Sequence, residues 1–194
     1  MRHLRAGNQI NAILTIGEKF QEPAFRDGSY LVRHSLSAAL EDPRFRAFVV
    51  ARQRGEALPD VPPDYKALNQ AALLVGNTYE EAGNLIKNGV VDEWLFLDQY
   101  CTNVIGGWTG LEDYTAFCRE VTGDIGLWDN FEYLTVRSRD FFARNPTTYP
   151  SGVRRIAPLG PYPLWASPDA TQRPGLKRPG LQSGLKRPGL HRIT

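Results

Sequence analysis

Glu80 is the residue whose type and setting most suggest chemistry. It is a carboxylate within an apolar helical segment, where it follows Asn77 and Tyr79 in an Asn-x-Tyr-Glu step. Gly76 and Gly83 lie close to it on a neighbouring face of the same predicted helix. Because a glycine inside a helix costs about 1 kcal/mol relative to alanine, we expect this pair to let another helix approach closely. Glu80 is then predicted to be buried at that contact.

A buried carboxylate is too costly to keep charged without a partner. Arg119 is the best candidate, since a guanidinium offers two parallel donors. We therefore predict a buried polar cluster composed of Asn77, Glu80, Asp92 and Arg119. Two interpretations stay open: a polar clasp that sets the register of the helices, or a pocket in which Glu80 binds a small molecule or takes part in catalysis. The neighbouring Glu81 is expected to be a solvated surface charge.

The other chemistry-bearing residues form no recognised catalytic or metal-binding pattern. None of His3, His34 and His191 has a glutamate three residues before it, as a di-iron helical bundle requires, and zinc-ligand spacings are absent. Cys101 and Cys118 fall in apolar helical patterns with no histidine near either, so we predict buried, reduced thiols. Neither a Gly-x-Ser-x-Gly elbow nor a Gly-Lys-Ser/Thr phosphate loop occurs. We predict no metal, no cofactor and no catalytic residue, and the sequence leans away from an enzyme.

Apolar residues at helical spacing predict an all-α, irregular bundle of about seven helices. In the first helix the predicted apolar stripe consists of Ile10, Ile13, Leu14, Gly17 and Phe20. No convincing period-two strand pattern occurs. The predicted helices lie at about 8–21, 23–40, 43–54, 64–88, 92–105, 111–122 and 131–141.

Capping residues and helix breakers set the predicted boundaries. Asp42, Asp64 and Asp92 are predicted N-caps, and Asn88-Gly89 is typical of a helix C-terminus. Gly106-Gly107 is predicted to separate the fifth helix from the sixth. Residues 58–63 contain three prolines in six positions and cannot lie inside a helix. They are predicted to link two sub-groups, 1–55 and 64–145, of one helical domain.

The end of the chain differs in composition from this domain. Residues 146–194 are rich in proline and glycine, and the sequence 175–181 returns as 184–190, so we predict a disordered tail. Beyond Asp169 there are six basic residues and no acidic one, whereas the rest of the chain has 17 basic and 21 acidic residues. The tail lacks aromatic residues interleaved with its charges, so any binding to nucleic acid or another polyanion is expected to be weak and nonspecific.

The sequence also bears on location. It has no run of 18 or more apolar residues, so we predict no transmembrane segment and, by default, a cytoplasmic protein. The chain starts directly in a helical pattern, so membrane association is expected only if the gene encodes a further segment upstream.

The tryptophans suggest where a partner binds. Most aromatic residues fall at helical spacing and are predicted to be core. Those left exposed are expected to form an aromatic interaction surface, for which the candidates are Trp94, Trp108 and Trp128.

Residues 68–134 resemble a bacterial family known as domain-of-unknown-function family 4760. The resemblance rests on the Asn77-x-Tyr79-Glu80 step, the Gly-Val-Val-Asp turn at 89–92, and the later Trp108, Arg119 and Phe-Glu-x-Leu pattern at 131–134. It implies an all-helical fold and no assigned activity.

Three functions are therefore under consideration. The first is a non-enzymatic helical domain that self-associates or binds another protein. The second is a small-molecule sensor or enzyme with a pocket of Glu80, Asn77 and Arg119. The third is weak polyanion binding by the tail.

Overall fold

The computed structural model describes residues 2–156, with side chains from residue 9 onward. Within that range the chain is all-α, as predicted, and has no strand. The six helices are α1 (Arg2–Gln21), α2 (Pro23–Leu40), α3 (Pro43–Arg54), α4 (Pro63–Lys87), α5 (Glu93–Thr122) and α6 (Asp129–Arg144). They belong to one compact unit, Met1–Tyr149. Most of the predicted disordered tail, residues 157–194, lies outside the described residues.

The predicted helix ends are largely confirmed where a side chain or a glycine sets them. Asp42 caps α3 by accepting a hydrogen bond of 2.8 Å from the Arg44 amide, and Asp92 caps α5 by accepting one of 2.9 Å from the Leu95 amide. The predicted cap at Asp64 is wrong, because α4 begins at Pro63 and Asp64 lies in its first turn. Proline is favoured at the first helical position, since its ring pre-sets the helical φ.

The predicted break at Gly106-Gly107 is also wrong, since α5 runs unbroken from Glu93 to Thr122. The two helices predicted on either side of it are therefore one, which reduces the count from about seven to six. A Cβ at Gly107 would stand 2.5 Å from Cε2 of Tyr79. The glycine thus permits close packing of α4 on α5. The burial of Tyr79 in this contact offsets the low helix propensity of the two glycines, on which the predicted break was based.

The apolar face of α1 is rotated relative to the predicted stripe. Ile13, Ile16 and Phe20 are buried, whereas Ile10 and Leu14 are 55% and 59% exposed. The buried residues follow a spacing of three and four, so a single stripe faces the core. Ile16 was absent from the predicted stripe. Two different sets of apolar residues in α1 are spaced by three and four, and the sequence alone does not say which set faces the core.

Tyr79 lies at the centre of the bundle, where α2 and α6 both pack against α4 and α5. Its ring stacks on Phe131 with centroids 4.6 Å apart and contacts Phe20 and Phe25. The hydroxyl is satisfied, since it donates a hydrogen bond of 3.1 Å to the carbonyl oxygen of Asn103. Burial raises the pKa of Tyr79 from 10.0 to about 12.

None of the described helices is both long enough and apolar enough to span a bilayer.

Two adjacent glycines of α5 give a matched test of this packing. We expect Gly107→Ala to lower the free energy of unfolding by about 1–3 kcal/mol, because the new methyl group collides with a buried ring. Gly106→Ala is expected to be neutral or to raise it by up to about 1 kcal/mol, because its Cβ meets only the flexible end of Arg33, 3.2 Å away. Urea unfolding of both variants measures the difference, and equal effects would contradict it.

The buried phenol of Tyr79 predicts a loss of stability at high pH. Below pH 10 the side chain is neutral in both states, but between about pH 10 and 12 it ionises only in the unfolded chain. The free energy of unfolding should therefore fall as the pH rises through this window. Tyr79→Phe should make the fall shallower than in the wild-type chain. Chemical denaturation across the window measures both slopes.

Candidate functional site

Glu80 binds the N-terminus of α6 from the side of α4. Its Oε1 accepts a hydrogen bond of 2.6 Å from Nδ2 of Asn130, and its Oε2 accepts one of 2.9 Å from the backbone amide of Phe131. The N-cap residue of α6 is Trp128, whose side chain makes no capping hydrogen bond. Glu80 therefore acts as the missing cap, supplied by a different helix, and its charge is favoured at the positive end of the α6 dipole.

The two glycines beside Glu80 give α6 the room to come this close, as their positions predicted. A Cβ at Gly76 would stand 2.2 Å from Cζ2 of Trp128, and a Cβ at Gly83 would stand 2.2 Å from the carbonyl oxygen of Asn130. Both distances are impossible for any larger residue without movement of the backbone or of a buried ring. The segment that begins α6 is thus pressed directly on the backbone of α4.

Trp128 is held in an unusual conformation by this contact. Its φ of 59° makes it, among the described residues, the one non-glycine residue with a positive φ, a conformation that costs roughly 1–2 kcal/mol. Its indole Nε1 donates a hydrogen bond of 2.9 Å to Oδ1 of Asn77. The indole itself is buried, so its packing and this hydrogen bond offset the backbone strain.

Arg119 holds the same segment from α5. Its Nε and Nη2 donate to the carbonyl oxygen of Leu127 at 3.0 and 2.8 Å, and its Nη1 lies 2.8 Å from Glu132. The predicted pair between Arg119 and Glu80 is therefore replaced, because each side chain instead binds residues 127–132. The sequence indicated both Glu80 and Arg119, but no pattern in it indicated that residues 127–132 lie between them.

Three of the four predicted cluster residues lie together, and the fourth lies elsewhere. Asn77, Glu80 and Arg119 converge on residues 127–132, and we call this arrangement the α6 clasp. Asp92 lies apart from it, because its carboxylate is exposed and caps α5. Glu80 is half-buried rather than buried. Sequence reasoning missed Asn130, which donates a hydrogen bond to Glu80.

The tryptophans predicted to form an interaction surface are separated by the fold. Trp108 and Trp128 are core residues, with 5% and 3% of their surface exposed, whereas Trp94 is 62% exposed. Of the three, Trp94 alone is available to a partner. The predicted three-tryptophan surface is therefore wrong in two of its members.

The hydrogen-bonding groups of the α6 clasp are occupied by contacts within the protein. Both carboxylate oxygens of Glu80 accept hydrogen bonds from α6. Four pockets found on the described surface are lined by other residues. Among the described residues, no three His, Cys, Asp or Glu side chains are grouped as metal ligands would be.

The two cysteines are free and buried, as predicted. Burial raises the pKa of both thiols, so each stays protonated and weakly nucleophilic at neutral pH.

The family model of a domain of unknown function, DUF4760, matches residues 4–138. The chain therefore belongs to this family, and the predicted resemblance is confirmed. The matched region runs from α1 into α6 and includes the whole α6 clasp. No curated protein and no solved structure matches the chain.

The neighbours Glu80 and Glu81 give a matched test of the clasp. We expect Glu80→Ala to lower the free energy of unfolding by about 1–2 kcal/mol, because α6 loses its cap. Glu81→Ala removes only an exposed ion pair with Lys19, so the expected loss is about 0.5 kcal/mol or less. Urea unfolding followed by tryptophan fluorescence measures both values. A loss at Glu81 as large as that at Glu80 would contradict the cap.

Proposed function

We propose that this member of the DUF4760 family is a non-enzymatic helical domain that binds a second copy of itself. The contact is made by one apolar surface, the α5–α6 face, whose residues are Trp94, Thr102, Ile105, Gly106, Arg139 and Phe142. The observation that carries the proposal is the 62% exposure of Trp94. Tryptophan is one of the side chains most enriched among residues that dominate binding energy.

An apolar groove lies on the same face as Trp94. It has a volume of about 450 Å³, and its lining is almost entirely carbon. Phe142 forms one wall and is 49% exposed. Ile105 and Thr102 from α5 form the other. Such a groove offers a partner side chain a place to leave water.

The exposed indole and the groove lie on the same side of α5. On α5, positions 94, 98, 102 and 105 recur at helical spacing and so share one side of the helix. On α6, Phe141 contacts the Trp94 ring, with centroids 6.3 Å apart, and the next residue is Phe142. A protruding ring beside a groove is self-complementary, so two copies related by a two-fold axis can each place Trp94 toward the groove of the other.

Two ion pairs lie at the edge of the α5–α6 face within one copy. Arg137 donates two hydrogen bonds to the Glu93 carboxylate, at 2.6 and 2.8 Å, and Arg139 lies 3.9 Å from Glu112. Asp98, which shares this side of α5 with Trp94 and Thr102, has a buried Oδ1 without a hydrogen-bond partner among the described residues. A donor from the second copy could satisfy this oxygen.

The α6 clasp supports a structural rather than a catalytic role for its residues. Residues 127–132 already take up the hydrogen-bonding groups of Asn77, Glu80 and Arg119. We therefore place the second alternative, a pocket of these three residues, below self-association. The third alternative concerns tail residues that lie largely outside the described part of the chain.

Removal of the exposed indole should separate the two copies. We expect the full chain to show a mass that rises with concentration toward a dimer. Trp94→Ala should raise the dimer dissociation constant about 900-fold, since the two-fold dimer loses both tryptophans and truncation of each typically costs about 2 kcal/mol. Sedimentation velocity over a concentration series measures this change.

Ile125→Ala is the matched control for this experiment. Ile125 is an exposed apolar side chain, at 84%, but it lies in the connection between α5 and α6 and outside the α5–α6 face. Its removal should leave the dissociation constant unchanged. A wild-type chain that stays monomeric at every concentration, or equal weakening by the two variants, would overturn the proposal.

A further inference from the structure

A cavity of about 290 Å³ opens to solvent beside α2. Its floor is aromatic, built from Phe20, Phe25 and Tyr79. The rings of Phe20 and Phe25 stack with centroids 5.1 Å apart, and Tyr79 contacts both at 5.2 and 5.5 Å. All three rings are buried, so the floor is rigid, and it offers an apolar surface to whatever enters.

The wall of the cavity is cationic. Arg26, Ser29 and Arg33 line it from α2 at spacings of three and four, which place them on one side of the helix. The lining contains no carboxylate, and neither arginine forms an ion pair with any described carboxylate. By contrast, Arg119 and Arg137 are each paired with acidic side chains.

Arg33 is directed inward, toward the floor. It is close enough to the Tyr79 phenol to oppose the rise in that group's pKa. It also passes α5 at Gly106, where a Cβ would stand 3.2 Å from its Nη2. The arginine therefore lies against α5 at a place where the missing side chain leaves room. Two guanidinium groups that have no ion pair with a described carboxylate lie at one concave surface, and such groups attract anions.

Ser29 adds an unused hydrogen-bonding group to this wall. Its Oγ is buried and has no partner among the described residues. Seven other helical Ser and Thr hydroxyls donate to the carbonyl oxygen four residues earlier. The Ser29 hydroxyl makes no such bond. A buried hydroxyl without a partner is costly, and a ligand oxygen at the wall would satisfy it.

We propose that this cavity binds a small organic carboxylate. The carboxylate group is held by Arg26, Arg33 and the Ser29 hydroxyl, and the apolar body lies on the aromatic floor. Guanidinium groups match a carboxylate with two parallel hydrogen bonds. The volume is at the lower end of small-molecule sites, so the body is about the size of one ring. This site is separate from the α5–α6 face and does not depend on self-association.

Benzoate is the probe that matches both halves of the site. We expect the full chain to bind benzoate with a dissociation constant of about 1 mM or tighter, measured by chemical-shift changes or calorimetry. Benzamide, which has the same shape without the charge, should bind at least about tenfold more weakly, because the arginines lose their charged partner. Acetate and inorganic phosphate should also bind more weakly than benzoate, because neither uses the aromatic floor.

Substitutions in the wall distinguish this site from general attraction by positive charge. Arg33→Gln should weaken benzoate binding about tenfold or more, whereas Arg54→Gln, at an exposed arginine of α3, should leave it unchanged. Ser29→Ala should weaken binding roughly threefold to tenfold without lowering the thermal midpoint. Loss of a hydroxyl with a purely structural role would instead lower the thermal midpoint. Here the midpoint is expected to hold, because the variant removes a group that has no partner in the free protein.

Four results would overturn the proposal. They are no saturable benzoate binding up to about 10 mM, equal affinity for benzamide, equal affinity for phosphate, and equal weakening by Arg33→Gln and Arg54→Gln. Thermal unfolding of each variant confirms that the chain compared is folded. A monomeric chain that still binds benzoate would refute self-association and leave this site intact, so the two proposals fail separately.

Discussion

The contact of α6 with α4 at Glu80 is the constraint on which the rest of the structure depends. Helix α6 has no cap of its own, because its N-cap position is occupied by Trp128 in a left-handed conformation. A carboxylate from α4 satisfies the first turn, and two glycines let the segment touch the α4 backbone. Arg119 fixes the same segment from α5. The helix that completes the core is therefore held at its first turn by two other helices.

Tyr79, the residue before Glu80, connects this contact to the opposite part of the bundle. Its ring stacks on Phe131 of α6 and also contacts Phe20 and Phe25 beneath the cationic cavity. The α6 clasp and the floor of the cavity are therefore joined by the packing of a single ring. Gly107 makes the arrangement possible, since α5 lies against the edge of the same ring.

The α5–α6 face and the cationic wall of the cavity use side chains that contribute little to the core, whereas the floor of the cavity is part of the core. Trp94 and Phe142 are exposed on the α5–α6 face, and Arg26 and Arg33 are exposed on α2. Gly106 lies at both places, since it lines the α5–α6 groove and also makes room for Arg33. Gly106 contributes little to the stability of the fold, because α5 would continue through an alanine at this position. The helix-breaking role that the local pattern predicted is not what this glycine does.

The sequence by itself determined the all-α class, most helix ends and the close approach at Gly76 and Gly83, because apolar spacing and capping are local properties of the chain. It did not determine that Gly106-Gly107 lies inside a helix, since propensity is overridden once tertiary packing supplies the energy. It also misassigned the partner of Glu80, because that partner lies about fifty residues away. Whether Trp94 or Trp128 faces water was likewise decided only by tertiary structure: both have the same chemistry, and burial depends on what packs over each ring.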